Sequence, residues 1–192
     1  MKTEITKPLA MLCCGMVILF ALTIVFRIVA ERTDSSFYFA CYVTFLTIFY
    51  HFAMRIAAGE AITLIYRKRK FNYTSPWYKE KSFEKELYSI LKVKKWKSQA
   101  ITAKPYQFDV KERTYDELLH NMTQAEIVHE TAMILSFVPL FFIIPYGAPA
   151  VFIITSILSC TLDASFVIIQ RYNRPRLLKI KKRLDEKEAI QV

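Results

Sequence analysis

The stretch FVIIQRYNRPRL, residues 166–177, decides how this chain is placed. Its first four residues belong in lipid. Three arginines then follow within six residues, with Tyr172, Asn173 and Pro175 between them. An apolar run that ends in a cationic cluster marks a membrane span reaching water on the side that favours positive charge. Upstream, residues 150–169 are almost uninterrupted in their apolar character and long enough to cross. PYGAP (145–149) separates this run from another, Ile127–Ile144, because two prolines and a glycine end one helix and begin the next. The two runs read as a helical hairpin with an uncharged tip.

Two further runs lie near the start. Leu9–Phe26 is apolar and long enough to span, and it lacks a good cleavage site after a short core, so it reads as retained. Phe37–Met54 is followed by Arg55, and its helix is expected to continue through RIAAGEAITLIY to Tyr66. The expected fold is therefore all-α and polytopic, with about four transmembrane helices. The chain divides into residues 1–66 (two spans), 67–123 (a basic interfacial segment), 124–177 (the hairpin with its arginines) and 178–192 (a charged tail).

The bulk numbers agree. The 192 residues are 54% hydrophobic yet carry a formal charge of +10. Basicity often signals nucleic acid, but here the cations adjoin apolar runs and no nucleic-acid module is visible, so none is expected as a partner. Lysine and arginine concentrate between Arg67 and Arg113 and after Arg171, while the links between spans one and two and between three and four are poor in them. The positive-inside rule places both termini and the middle segment in the cytoplasm of a multi-pass cell-membrane protein. Cys13, Cys14, Cys41 and Cys160 lie in apolar runs without metal-ligand spacing.

The middle segment has its own pattern. Phe83, Leu87, Ile90 and Leu91 form one apolar helical stripe, and Ser75–Pro76 resembles a helix start. Trp77, Tyr78, Tyr88 and Trp96 suit a headgroup layer, so a helix on the cytoplasmic face, packed on the spans or on lipid, is expected.

Titratable groups inside spans are costly and mark candidate sites. TQAEIVHE (123–130) sets Glu126 and His129 three residues apart on one helix face, where the carboxylate could orient the imidazole as a general base. Thr123-x-x-Glu126 is equally a capping-box pattern. Asp163, in the fourth run, needs a cation or donor, and Arg55 or His51 is the natural partner. One Glu-x-x-His pair is half of what a di-iron site requires, so no metal is expected. His120 sits in polar surroundings and reads as surface. Arg171 and Arg174 are three apart, Pro175 is expected to interrupt the helix, and guanidinium forks match phosphates, so Arg171, Arg174 and Arg176 read as an anion clamp shaped by Tyr172 and Asn173.

QRYNRPRL (170–177), with VKKWK (93–97) and AEIVH (125–129) in the same order, resembles the glycosyl-4,4'-diaponeurosporenoate acyltransferase family over residues 77–180 or so. The chain departs from that family's pattern at YHFAMR (50–55) and at Asp163, which bears on substrate more than on fold. The resemblance implies a small membrane enzyme that esterifies the glucose 6-hydroxyl of a carotenoid glycosyl ester, the last step to staphyloxanthin. It implies a glycolipid acceptor and an acyl thioester, acyl-CoA or another, as co-substrate, with no bound cofactor. In that setting His129, Glu126 and Asp163 are the catalytic candidates. Arg171, Tyr172, Asn173, Arg174, Arg176, His51, Arg55 and Trp96 are the substrate-binding ones, and oligomerisation is left open. A lipid-binding scaffold without catalysis is the rival explanation, and it does not call for a histidine beside two glutamates.

Overall fold

The computed structural model describes residues 7–66, 71–99 and 105–190. The basic residues Arg67–Lys70 and Lys104 lie outside the described residues, as do both extreme termini. Four helices are long and apolar enough to cross a membrane. They are α1 (Lys7–Thr33), α2 (Ser36–Ile65), a third span that opens with a long helix Tyr115–Leu135, and a final helix Pro149–Ile190. Between the second and third spans lie α3 (Glu84–Ile90) and α4 (Val93–Trp96). The long helix of the third span is α5, the short turn Ile143–Tyr146 is α6, and the final helix is α7.

Each terminus has a local cause. Asp34 takes a left-handed φ of 48° between α1 and α2, a conformation its short polar side chain tolerates. Gly147, with φ 66°, closes α6, and Pro149 opens α7 without forfeiting a needed N–H. The third span begins earlier than its apolar run suggests. Thr114 caps α5 in a reciprocal box with Glu117, so Thr123 and Glu126 lie about two and three turns inside the helix and do not cap it. The Ser75–Pro76 start makes only a single 3-10 turn, Pro76–Tyr78, and the amphipathic helix begins at Glu84. Pro175 does not interrupt α7, which runs on to Ile190. At 1.5 Å per residue that helix is about 63 Å long, roughly twice a hydrocarbon core, so its charged last third stands outside lipid.

The bundle packs α2, α5 and α7 around one another, with α1 applied to α2 through ring contacts such as Phe20–Phe49 and Phe26–Phe45. Thr23 is the one residue of α1 that is buried. Lipid removes the hydrophobic drive between helices, so close approach of small and polar side chains must replace it. On α7 the buried stripe Phe152, Ser156, Ser159 and Asp163 steps by four, three and four residues. Ala132 of α5, Ser136 at its C-cap, and Thr47, His51 and Ala58 of α2 are buried as well. On α3, Glu84 and Tyr88 turn inward, while Phe83, Ile90 and Leu91 remain exposed. That stripe is therefore free to meet lipid.

Candidate functional site

Two polar clusters are threaded on the inner face of α7. The first is centred on Asp163, which is fully buried. Its carboxylate accepts from Arg55 Nε at 3.2 Å and lies 2.8 Å from Arg55 Nη2. The Oδ1 atom that accepts from Arg55 Nε is also 2.8 Å from His129 Nδ1. Arg55 also donates to the Ser159 hydroxyl at 2.8 Å and to the His51 carbonyl at 2.7 Å. The Ser136 and Ser159 hydroxyls meet at 2.8 Å. Three helices thus converge on one carboxylate: Arg55 from α2, His129 from α5, Asp163 from α7.

The sequence pairing of Asp163 with Arg55 is found. The pairing of His129 with Glu126 is not. Glu126 and His129 share a helix face, but Glu126 is drawn toward the arginines, and Asp163 takes the imidazole instead. The acid bonded at Nδ1 fixes the tautomer with its proton there and leaves Nε2 as the basic nitrogen. The His129 ring is stacked on Phe166, with centroids 4.6 Å apart and planes 11° apart, which locks its orientation. Its side chain keeps 23% of its surface exposed, so the ring is not sealed inside the bundle. His51 is buried with neither ring nitrogen bonded, so it lines the floor beside Arg55 without joining the relay.

The second cluster contains the arginines. Arg171 and Arg174 occupy one face of α7 and turn inward. Arg171 Nη1 donates to Glu126 at 2.8 Å and its Nε donates to Glu84 at 2.6 Å. Arg174, fully buried, donates to the second oxygen of Glu126. Main-chain carbonyls of Trp77, Tyr78 and Lys79 accept further bonds from the two guanidinium groups at 3.3 Å each. Arg174 also lies 4.9 Å above the Tyr78 ring. Burial and the Glu126 charge together push the Tyr78 phenol upward from its ordinary value.

This corrects the anion clamp in two of its three arginines. Arg171 and Arg174 have the carboxylates of Glu84 and Glu126 already in place. The cluster ties three parts of the chain together, α5, α7 and the segment from Trp77 to Glu84. Arg176 alone faces outward, bonded to the carbonyl of Tyr172 and set 3.5 Å over its ring. Tyr172 is buried edge-on against Tyr88, Asn173 accepts from Lys97 Nζ at 2.7 Å, and Trp96 is half-buried beside them with its indole N–H on the Leu91 carbonyl. His120 is half-buried rather than on the surface, accepting from the Phe71 backbone N–H at 3.1 Å.

Glu84, Ser136 and Ser159 were not singled out by sequence. Glu84 gave no signal, since an acid in the first turn of a helix is favoured by the helix dipole alone. The serines carried none.

Comparison with known proteins supplies the frame. No curated protein and no solved structure matches the chain. A family model described as glycosyl-4,4'-diaponeurosporenoate acyltransferase matches residues 74–183, more than half of the chain, and that span includes α3, α4, α5, both polar clusters' α5 and α7 members, and the arginines. The chain belongs to the glycosyl-4,4'-diaponeurosporenoate acyltransferase family.

Proposed function

We propose that this multi-pass membrane protein transfers a fatty acyl group from an acyl thioester to a hydroxyl of a membrane glycolipid, a carotenoid glycosyl ester or a related lipid. The observation that carries the mechanism is the bond between fully buried Asp163 and His129. The acceptor hydroxyl binds at His129 Nε2. Its oxygen attacks the thioester carbonyl carbon while its proton passes to Nε2. Asp163 holds the Nδ1 proton in place and opposes the positive charge that forms on the ring. The C–S bond then breaks, the ester is released, and the imidazolium returns its proton to the departing thiolate.

Arg55 has the supporting part. It reaches both oxygens of Asp163, sharing Oδ1 with His129, and so holds that carboxylate aimed at the ring. Glu126 is assigned to anchoring Arg171 and Arg174 rather than to the proton relay. Asp163 and Arg171 are eight residues apart, about 12 Å along α7, which sets the dyad within the hydrocarbon layer when the arginines lie at its boundary. A lipid acceptor can approach there laterally. The charge distribution supports a cytoplasmic arginine end, both termini on that side, and the exposed α3 stripe resting on the inner leaflet.

Comparative lipid profiling of cells carrying the wild type, His129→Ala or no copy tests this. The proposal expects one acylated glycolipid that is present only with the wild type and a matching rise of its unacylated precursor in the other two. An unchanged lipid profile on loss of the protein would remove the transferase assignment.

A further inference from the structure

Beside the arginine cluster, a cavity of about 620 Å³ opens between α3, α4 and the end of the apolar part of α7. Its lining is strongly cationic: Lys85, Lys92, Lys94, Lys95, Arg176 and Lys179, against the single carboxylate of Glu80. Glu80 is 3.9 Å from Lys85. Among the described residues no carboxylate pairs with the other five. This contrasts with Arg171 and Arg174 one turn away, whose charges are fully met within the chain.

The backbone is shaped to gather these cations. Lys92 adopts a left-handed φ of 51° between α3 and α4, a conformation unfavourable for a side chain with a Cβ. The kink turns Lys94 and Lys95 toward α7. Lys97 and Arg176 are held against the same Tyr172 ring, at 4.8 and 3.5 Å. Burial, with help from Arg176 and Lys94, shifts Lys97 toward losing its proton. Six cations against one carboxylate, around an open groove of ligand size, favour an anion that the chain does not supply.

We propose that this cavity is a phosphate-recognition site for a ligand carrying several clustered phosphates. Two sources offer that chemistry: the nucleotide portion of coenzyme A and anionic lipid headgroups. Coenzyme A is favoured by distance. Arg176 and Asp163 are thirteen residues apart, about 20 Å along α7, so a ligand anchored here reaches His129 only through a long arm, as an acyl-bearing coenzyme has. That preference rests on the acyl-thioester proposal above, whereas the phosphate chemistry of the cavity does not.

The test uses the full-length protein in phosphatidylcholine nanodiscs and measures binding of coenzyme A and of its 3'-dephospho form by calorimetry. Lys94→Glu/Lys95→Glu and Arg176→Gln are compared with Lys182→Glu/Lys187→Glu, which makes the same charge change as the lysine pair but outside the cavity. The expected result is at least a tenfold weaker binding in the cavity variants, near wild-type binding in the control, and a weaker hold on the dephospho form. A parallel arm measures phosphatidylglycerol enrichment around each variant in mixed-lipid nanodiscs. Enrichment lost only in the cavity variants, with no coenzyme binding to the wild type, supports the phosphate site with lipid as its source. Wild-type-like behaviour of the cavity variants in both arms, or no binding in either, overturns it. Coenzyme binding that depends on the cavity, in a protein that transfers no acyl group, leaves the site standing and removes the transfer proposal alone.

Discussion

Replacing Glu126 by Gln separates an anchoring role from a catalytic one. In the wild type, Glu84 and Glu126 balance Arg171 and Arg174, and Arg174 is fully buried. Arg171 keeps Glu84 after the change. Among the described residues no other carboxylate forms an ion pair with Arg174, which retains the Tyr78 carbonyl and ring and the more distant charge of Glu130. The change therefore leaves Arg174 buried without its direct ion-pair partner. Removing one partner of a buried pair costs about 3–5 kcal/mol. The glutamine oxygen still accepts one bond, which favours the lower figure. For a chain of this size such a loss lowers the melting temperature by about 6–20 °C. Tryptophan fluorescence is a suited assay, since the Trp77 carbonyl accepts from Arg171 and Trp96 lies farther along the same interfacial segment. The sign of a second substitution is the sharper readout. Glu126→Gln/Arg174→Met removes the stranded charge and should recover most of the loss, to within about 1–2 kcal/mol of wild type. If Arg174→Met instead adds a further loss of similar size, the two residues do not act as a buried pair and the cluster does not anchor the segment.

Other expectations follow from the same geometry. Arg174→Lys cannot reproduce the guanidinium fork and should cost about 1–3 kcal/mol in thermal stability while leaving the KM for the acyl donor unchanged in the folded fraction; a raised donor KM at unaltered stability would return Arg174 to ligand binding. Ser159→Ala removes one donor contact from Arg55 and should lower stability by about 1 kcal/mol, with a modest fall in transfer rate visible in steady-state kinetics. Burial and the neighbouring Glu84 push the Tyr88 phenol upward from its ordinary value, so its bond to Glu84 contributes fully below about pH 10 and is lost as pH climbs from there toward the raised folded value. Tyr88→Phe should flatten that alkaline fall in a melting-temperature series, and a slope identical to wild type would exclude Tyr88 as its source.

The spans were legible because lipid demands long apolar runs, and no tertiary information is needed to see one. The hairpin break at Gly147 was legible for a similar local reason. Where two local patterns competed, sequence could not choose: Thr114-x-x-Glu117 and Thr123-x-x-Glu126 satisfy the same capping rule, and only the docking of Leu118, Leu119 and Met122 selects the first. Pro175 was misjudged because its missing N–H forfeits one bond in a helix otherwise fixed by Arg171 and Arg174 on one side. Asp163 with Arg55 could be inferred, since a lone carboxylate in a span requires a cation and few were on offer. The exchange of partners between His129 and Glu126 could not. It depends on how far α5 and α7 slide past each other, which is set by packing of Ala132, Ser136, Ser156 and Ser159 and leaves no trace in spacing.

The central claim is that Asp163 makes His129 a general base. Acyl transfer in proteoliposomes, from an acyl thioester to a glycolipid, measures it most directly when wild type, His129→Gln and Asp163→Asn are compared at matched folded protein. The account predicts that kcat falls about 10²-fold or more in both variants, with donor KM little changed. Wild-type turnover by His129→Gln would contradict it.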